Sequence, residues 1–217
     1  VLAQGLGATT PFPRPKDAPP GRLVIPKGAG PLLPAHRYYL ANRKPVGFNP
    51  DEITERWGVG GIGIAPKLGW RLYIPIHLNK EIVSWTTRSI GDSGLRYITA
   101  GAEEEKIPAK SLLYGEDYAR HAIVIVEGVV DVWRIGPGAV ATMGTGYSQA
   151  QVLRMAKYPV RVVVFDSEPM AQKKARMLCR DLAAFPGNTY NASVDSGKDP
   201  SRASEEEIME IRRMLQG

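Results

Sequence analysis

Two short apolar runs that stop abruptly in acids constrain this chain more than anything else in it. Ala122-Ile123-Val124-Ile125-Val126 ends at Glu127-Gly128, and the run over residues 160–165 ends at Asp166-Ser167-Glu168. The first run is unbroken, which predicts a strand buried on both faces, as in a parallel sheet covered by helices, rather than a half-exposed one; the second, interrupted by Arg161, ends in acids in the same way. In open α/β sheets, ligands bind beyond the carboxyl ends of the strands, so an acid there followed by a permissive glycine is placed for chemistry. Alone, Glu127 reads equally well as a surface turn residue. Two parallel strands that end alike aim their carboxylates at one spot.

The rest of the chain fits around these strands. Residues 1–30 carry Pro11, Pro13, Pro15, Pro19, Pro20 and Pro26 among glycines, and read as an extended arm without secondary structure. A basic unit over residues 31–118 is expected to be α+β. It holds a short helix around Tyr38 and Tyr39, a second capped by Asn49 with Pro50 at its first position, and a glycine loop at Gly58, Gly60, Gly61 and Gly63. A hairpin over residues 70–76 and 82–88 and a strand at 95–99 follow. Residues 119–217 alternate between strand and helix. Helices are expected at 129–135, 148–156 and 169–184 and from Ser204; strands are expected at 139–142 and 190–194. This alternation implies a small, mostly parallel sheet flanked by helices.

The acids collect where strands end: Glu127 with Asp131 one helical turn on, Asp166 with Glu168, and Asp195 with Asp199. So dense a cluster repels itself unless a cation neutralises it. Oxygen ligands without His or Cys suit a hard ion, Mg²⁺ or Mn²⁺, and the chemistry of one or two such metals acting on phosphoryl groups. Each acid alone is better explained by solvation at a helix start; the set favours the metal. Arg43, Arg71, Arg88, Arg96 and Lys110 are scattered through the first half, and a positive surface beside such a cluster suits a nucleic-acid backbone or a triphosphate. Lys173, Lys174 and Arg176 read as solvent-facing on the helix over 169–184.

Several classes are excluded or disfavoured. The single cysteine, Cys179, leaves no disulfide framework and no cysteine-based zinc site in this chain. His36, His77 and His121 share no metal-ligand spacing. No apolar run reaches the length of a membrane span and no signal peptide opens the chain, which implies a cytoplasmic protein. Gly144-Thr145-Gly146 lacks the lysine of a phosphate-cradling loop, and there is no serine elbow. A net charge of +6 permits a polyanionic partner without proving one.

Glu127-Gly128 with Asp131, followed by Asp166 and Glu168, resembles the toprim domain shared by primases, topoisomerases, overcoming-lysogenization nucleases and recombination mediators. Gly197-Lys198-Asp199-Pro200, Gly144-Thr145 with Ser148 and Gln151, Tyr39-Leu40-Ala41-Asn42-Arg43, Arg71 with Pro75-Ile76, and Arg88, Arg96-Tyr97 and Lys110 through Tyr114-Gly115 narrow the resemblance to the bacterial-type (DnaG-like) primase catalytic core. That resemblance implies RNA primer synthesis from ribonucleoside triphosphates on a single-stranded DNA template. Glu127, Asp166, Glu168 and Asp199 would ligate two Mg²⁺ or Mn²⁺ ions, with Asp131 and Asp195 nearby. Arg43, Arg88, Arg96 and Lys110 would contact template or triphosphate. The sequence departs from the family at Glu168, where a second Asp followed by Ala-Gly is usual, at Ser201, where a further acid is frequent, and in the loop after Arg43. Neither a zinc-binding nor a helicase-binding domain is present, which implies a trimmed core or a compact phage or mobile-element version that reaches a replicative helicase through other domains. A chain opening at Val1 reads as a fragment or processed product. The alternatives are another toprim enzyme, such as a nuclease, and a nucleic-acid-binding module that does not polymerise.

Overall fold

In the computed structural model, residues 21–91, 94–144, 146–197 and 199–216 are described. The arm expected over residues 1–30 therefore lies mostly outside them, as do Thr145 and Lys198. Among the described residues two sheets share the chain. The first is antiparallel, in the order β1 (Ala29–Gly30), β2 (Gly60–Ile62), β3 (Arg71–Leu78), β4 (Glu81–Ser89) and β5 (Tyr97–Thr99). Helices α1 (Pro34–Ala41) and α2 (Pro50–Trp57) lie between β1 and β2 in the chain. The second sheet contains β6 (Ala122–Val126), β7 (Ala139–Ala141), β8 (Val160–Val163) and β9 (Asn188–Asn191), all parallel, in the order β7-β6-β8-β9. Helices α3 (Val129–Ile135), α4 (Gln149–Met155), α5 (Pro169–Leu182) and α6 (Glu205–Met214) surround it.

The expected helix starts are present for the expected reason. Asn49 Oδ1 accepts the Asp51 N–H at 3.0 Å with Pro50 as the first helical residue, and Ser148 and Ser204 each close a reciprocal capping box with Gln151 and Glu207. Each cap satisfies amide hydrogens that have no partner within the helix.

Strand β6 is buried along its whole length, and its alternating side chains enter two different cores. Val124 and Val126 pack with Trp57, Leu72, Ile74, Val129 and Ile208 in a core shared by both sheets. Ile123 and Ile125 face the opposite way, toward Met155, Leu178 and Leu182 of α4 and α5.

Three expectations shift. Residues 60–62 form a strand rather than a loop, because the neighbours leave room only for glycine: a Cβ on Gly60 would lie 2.3 Å from the Gly30 carbonyl oxygen, and one on Gly61 would lie 2.4 Å from His36 Nδ1. Residues 29–30, assigned to the unstructured arm, pair with that strand as β1. The last strand runs over Asn188–Asn191 rather than 190–194, its register with β8 set by Val160 opposite Asn188.

His36 is locked beneath Gly61. Its Nδ1 accepts the Leu33 N–H at 3.1 Å and its Nε2 donates to the Ile62 carbonyl at 3.2 Å, so the ring cannot swing away. Gly61→Ala is expected to lower unfolding stability by roughly 1–3 kcal/mol, the usual cost of forcing an extra methyl into packed structure, read as a lower urea midpoint. Gly30→Ala, where a Cβ meets nothing within 4 Å, should leave the midpoint nearly unmoved.

Candidate active site

A cleft of about 400 Å³ opens where the carboxyl ends of the parallel strands meet β4, β5 and the end of α1. Its two walls carry opposite charge. One holds Glu127, Asp131, Asp166 and Asp199; the other holds Arg43, Lys44, Arg88 and Arg96.

The acidic wall follows from strand ends. Glu127 succeeds β6 and is 8 % exposed, and its Oε1 is buried without a hydrogen-bond partner. Burial raises its pKa and Glu168 adds to this, while the Asp166 N–H and the charge of Lys174 oppose it. Lys174 thus acts on Glu127 electrostatically, which the solvent-facing assignment missed. Asp131 lies in the first turn of α3, and its two oxygens accept the N–H groups of Gly128 at 3.1 Å and Ser201 at 3.0 Å. Burial, then Asp199 and Asp166, push its pKa up to about 7. Asp166, just beyond β8, is also pushed up to about 7 by burial, Glu127, Asp199 and Glu168. Asp199 accepts the Ser201 hydroxyl at 2.6 Å and faces Arg202 at 3.6 Å. Asp131 and Asp166 are thus each harder to ionise because negative neighbours surround them.

The basic wall is braced by tyrosines. Arg88 Nε donates to the Tyr39 hydroxyl at 2.8 Å, another of its nitrogens donates to the Tyr97 hydroxyl, and its guanidinium lies 5.1 Å from the centre of the Tyr97 ring. Arg43 donates to the same Tyr39 hydroxyl at 3.4 Å. These phenols orient the guanidiniums without neutralising them. At the floor, Met143 has φ 59° and Gly144 φ 129°, and the Gly144 N–H donates to the Glu127 carbonyl at 3.1 Å. Lys110 Nζ donates to the Met143 carbonyl at 3.1 Å, which puts Lys110 behind this turn.

Lys110 does not line the cleft, and three more expected site residues also sit outside its lining. Arg71 is 5 % exposed and donates to Thr87 Oγ1 at 2.8 Å and to the carbonyls of Leu95 and Arg96 at 2.8 and 2.9 Å. Its Nε and Nη2 therefore hold the approach to β5, and Arg71 does not line the cleft. Asp195 is exposed and does not line the cleft; its N–H donates to Glu207 Oε1 at 2.6 Å, which turns that loop toward α6. Glu168 is exposed at the N-cap of α5, outside the cleft lining, and reaches the cluster through its charge. Sequence reasoning passed over Lys44, Ser201 and Arg202 as site residues; the adjacency of Lys44 to Arg43 and of Ser201 and Arg202 to Asp199 was the available signal.

Among the described residues no three His, Cys, Asp or Glu side chains converge closely enough to grip a metal ion as they stand. The four cleft carboxylates nevertheless form an oxygen-only donor set, and one buried oxygen lacks any partner. Such a set suits a hard divalent cation.

Because the unfolded chain ionises Asp166 near 3.8 and the folded chain near 7, folding loses stability as pH rises between these values, and the loss persists above them. In chelator, Asp166→Asn should therefore melt at a higher temperature than the unaltered protein at pH 8, with the gap closing toward pH 4. A gap independent of pH would contradict this electrostatic account.

Comparison with solved structures finds this arrangement of two sheets in primase catalytic cores. The RNA polymerase domain of the Mycobacterium tuberculosis primase DnaG superposes with a TM-score of 0.67 at 18% identity, covering 84% of this chain and 75% of that one. A DnaG catalytic core gives 0.66 at 17% identity, covering 84% and 74%. The primase fragment of the bacteriophage T7 primase-helicase gives 0.54 at 16% identity, covering 94% and 82%. No protein-family model matches the sequence, and no curated protein matches it. The chain has the fold of a DnaG-type primase catalytic core.

Proposed function

We propose that this chain is the RNA polymerase core of a primase, making short RNA primers on single-stranded DNA by metal-dependent nucleotidyl transfer. One observation carries the reading: in a chain of primase-core fold, an acidic wall and a basic wall face each other across one cleft. Residues 31–118 would be the basic subdomain and residues 119–217 the toprim domain.

The donor set fits Mg²⁺ or Mn²⁺, held by Glu127, Asp166 and Asp199 with Asp131 beside them; Glu168 would join by turning inward from the start of α5. A divalent cation bound there, or a pair of them, supplies Lewis acidity at the α-phosphate and stabilises the attacking and leaving oxygens. The protein's own groups do the positioning. Arg43, Lys44, Arg88 and Arg96 hold the negative charge of the triphosphate or template opposite the carboxylates. Arg88, oriented in advance by Tyr39 and Tyr97, need not reorganise when charge develops. The Gly128 and Ser201 N–H groups keep the Asp131 carboxylate from rotating away.

One observation favours a second reading. Glu168 is exposed and outside the cleft lining, as a nucleic-acid-binding module that no longer polymerises would allow. Purified protein with single-stranded DNA, labelled ribonucleotides and Mg²⁺ or Mn²⁺ separates the two. The primase reading expects new oligoribonucleotides, with Glu127→Gln lowering the yield by about two orders of magnitude or more while leaving the circular dichroism spectrum intact. DNA cleavage instead would indicate a nuclease, and binding without product the module.

A further inference from the structure

The acidic wall carries a positive charge of its own. Among the described residues, Asp199 is the only one of the four cleft carboxylates within 4 Å of a cation: its Oδ2 lies 3.6 Å from Arg202 Nε. Its other oxygen accepts the Ser201 hydroxyl at 2.6 Å, so both of its oxygens face donors from the residues that follow it. The pairing is local, because Pro200–Arg202 form a single tight turn in which the Arg202 N–H donates to the Asp199 carbonyl at 3.0 Å. The charge of Arg202 also opposes the rise in the Asp166 pKa. One guanidinium therefore bears on two acids from separate segments, which is the electrostatic task that a bound divalent cation would perform.

We propose that Arg202 is a counter-charge that a divalent cation displaces: it holds Asp199 while the cleft is metal-free and swings into solvent when the metal takes that carboxylate. Its surroundings suit a group that leaves. The Arg202 side chain is 51% exposed, and an ion pair so wet contributes little stability, so breaking it costs little. Arg134 shows the contrast. Its pair with Glu205, at 2.7 Å, comes from a side chain that is 9% exposed and also donates to the Ala203 carbonyl, so it has nowhere to go. Arg202 and the incoming metal compete for one carboxylate, and their like charges repel until the arginine has moved away. The arginine therefore lowers the affinity of the cleft for metal. This inference rests on the proposed metal site and adds its regulation, but it requires neither nucleotide nor polymerisation.

The test is titration of the metal-stripped chain with Mn²⁺ alone, free Mn²⁺ being read from its electron paramagnetic resonance signal without nucleotide or DNA. Arg202→Gln should tighten Mn²⁺ binding by about fivefold or more, since even two unit charges 4 Å apart in water interact by ~1 kcal/mol and Mn²⁺ carries two. The rise in melting temperature that Mn²⁺ produces should be larger for this variant than for the unaltered chain. Arg202→Lys, which keeps the charge, should bind as the unaltered chain does. Arg213→Gln removes the same charge from an exposed position on α6 and should change the affinity by less than about twofold, because solvent and salt screen it. A purely structural role for Arg202 predicts the opposite sign, since a loosened turn would weaken the site. Unchanged or weaker binding by Arg202→Gln overturns the proposal, as does an equal gain in Arg202→Lys or Arg213→Gln, or an unaltered chain that binds no Mn²⁺. Primer synthesis is decided separately by the Glu127→Gln assay with triphosphates and template present, so the two readings fail independently.

Discussion

Burial of β6 on both faces is the constraint on which the rest of the molecule depends. Successive side chains of a strand point to opposite sides, and here both sides are apolar: Val124 and Val126 join the core beneath the antiparallel sheet, Ile123 and Ile125 the core beneath α4 and α5. Removing a side chain of this size from water stabilises by about 1.5–3 kcal/mol. A register that exposed either face would forfeit several such contributions together. The strand therefore has to lie inside its sheet, with β7 on one side and β8 on the other. Where its apolar run ends, the first polar residue, Glu127, has to emerge at the mouth of the cleft.

That emergence sets up an electrostatic cost that the surrounding structure manages but does not remove. Asp131 and Asp166 are both driven toward neutrality by burial and by one another's neighbours. Hydrogen bonds limit the damage for some of the set. Ser201 donates through its N–H to Asp131 and through its hydroxyl to Asp199, and so links two acids that repel. Glu207 at the start of α6 accepts the Asp195 and Ser196 amides, which anchors the loop that carries Asp199. The remaining strain faces a wall of guanidiniums held at fixed orientation by tyrosine hydroxyls. A stored repulsion opposite an unneutralised basic surface is characteristic of a site shaped for ligand charge rather than for stability.

Elements governed by local rules were legible in advance. The helix caps at Asn49, Ser148 and Ser204, the hairpin of β3 and β4, and the alternation of strand and helix from Ala122 onward all depend on residues close in the chain. Features governed by distant neighbours were not. Gly60 and Gly61 looked like loop residues because nothing local reveals that Gly30 and His36 press against them. Arg71 looked like a ligand contact because its partners, the carbonyls of Leu95 and Arg96, arrive only when β5 docks on β4.

The sequence by itself determined which strands are buried on both faces, and so placed Glu127 and Asp166 at strand ends, because hydrophobic periodicity and its interruption are properties of consecutive residues. The tertiary structure alone decided the membership of each wall. It brought Asp131 and Asp199 into the cleft, left Asp195 and Glu168 outside its lining, turned Arg71 inward, and set Lys44 on the basic wall. The physical reason is reach and partnership: a long charged side chain goes where its hydrogen-bond partners are, and those partners come from segments far away in the chain.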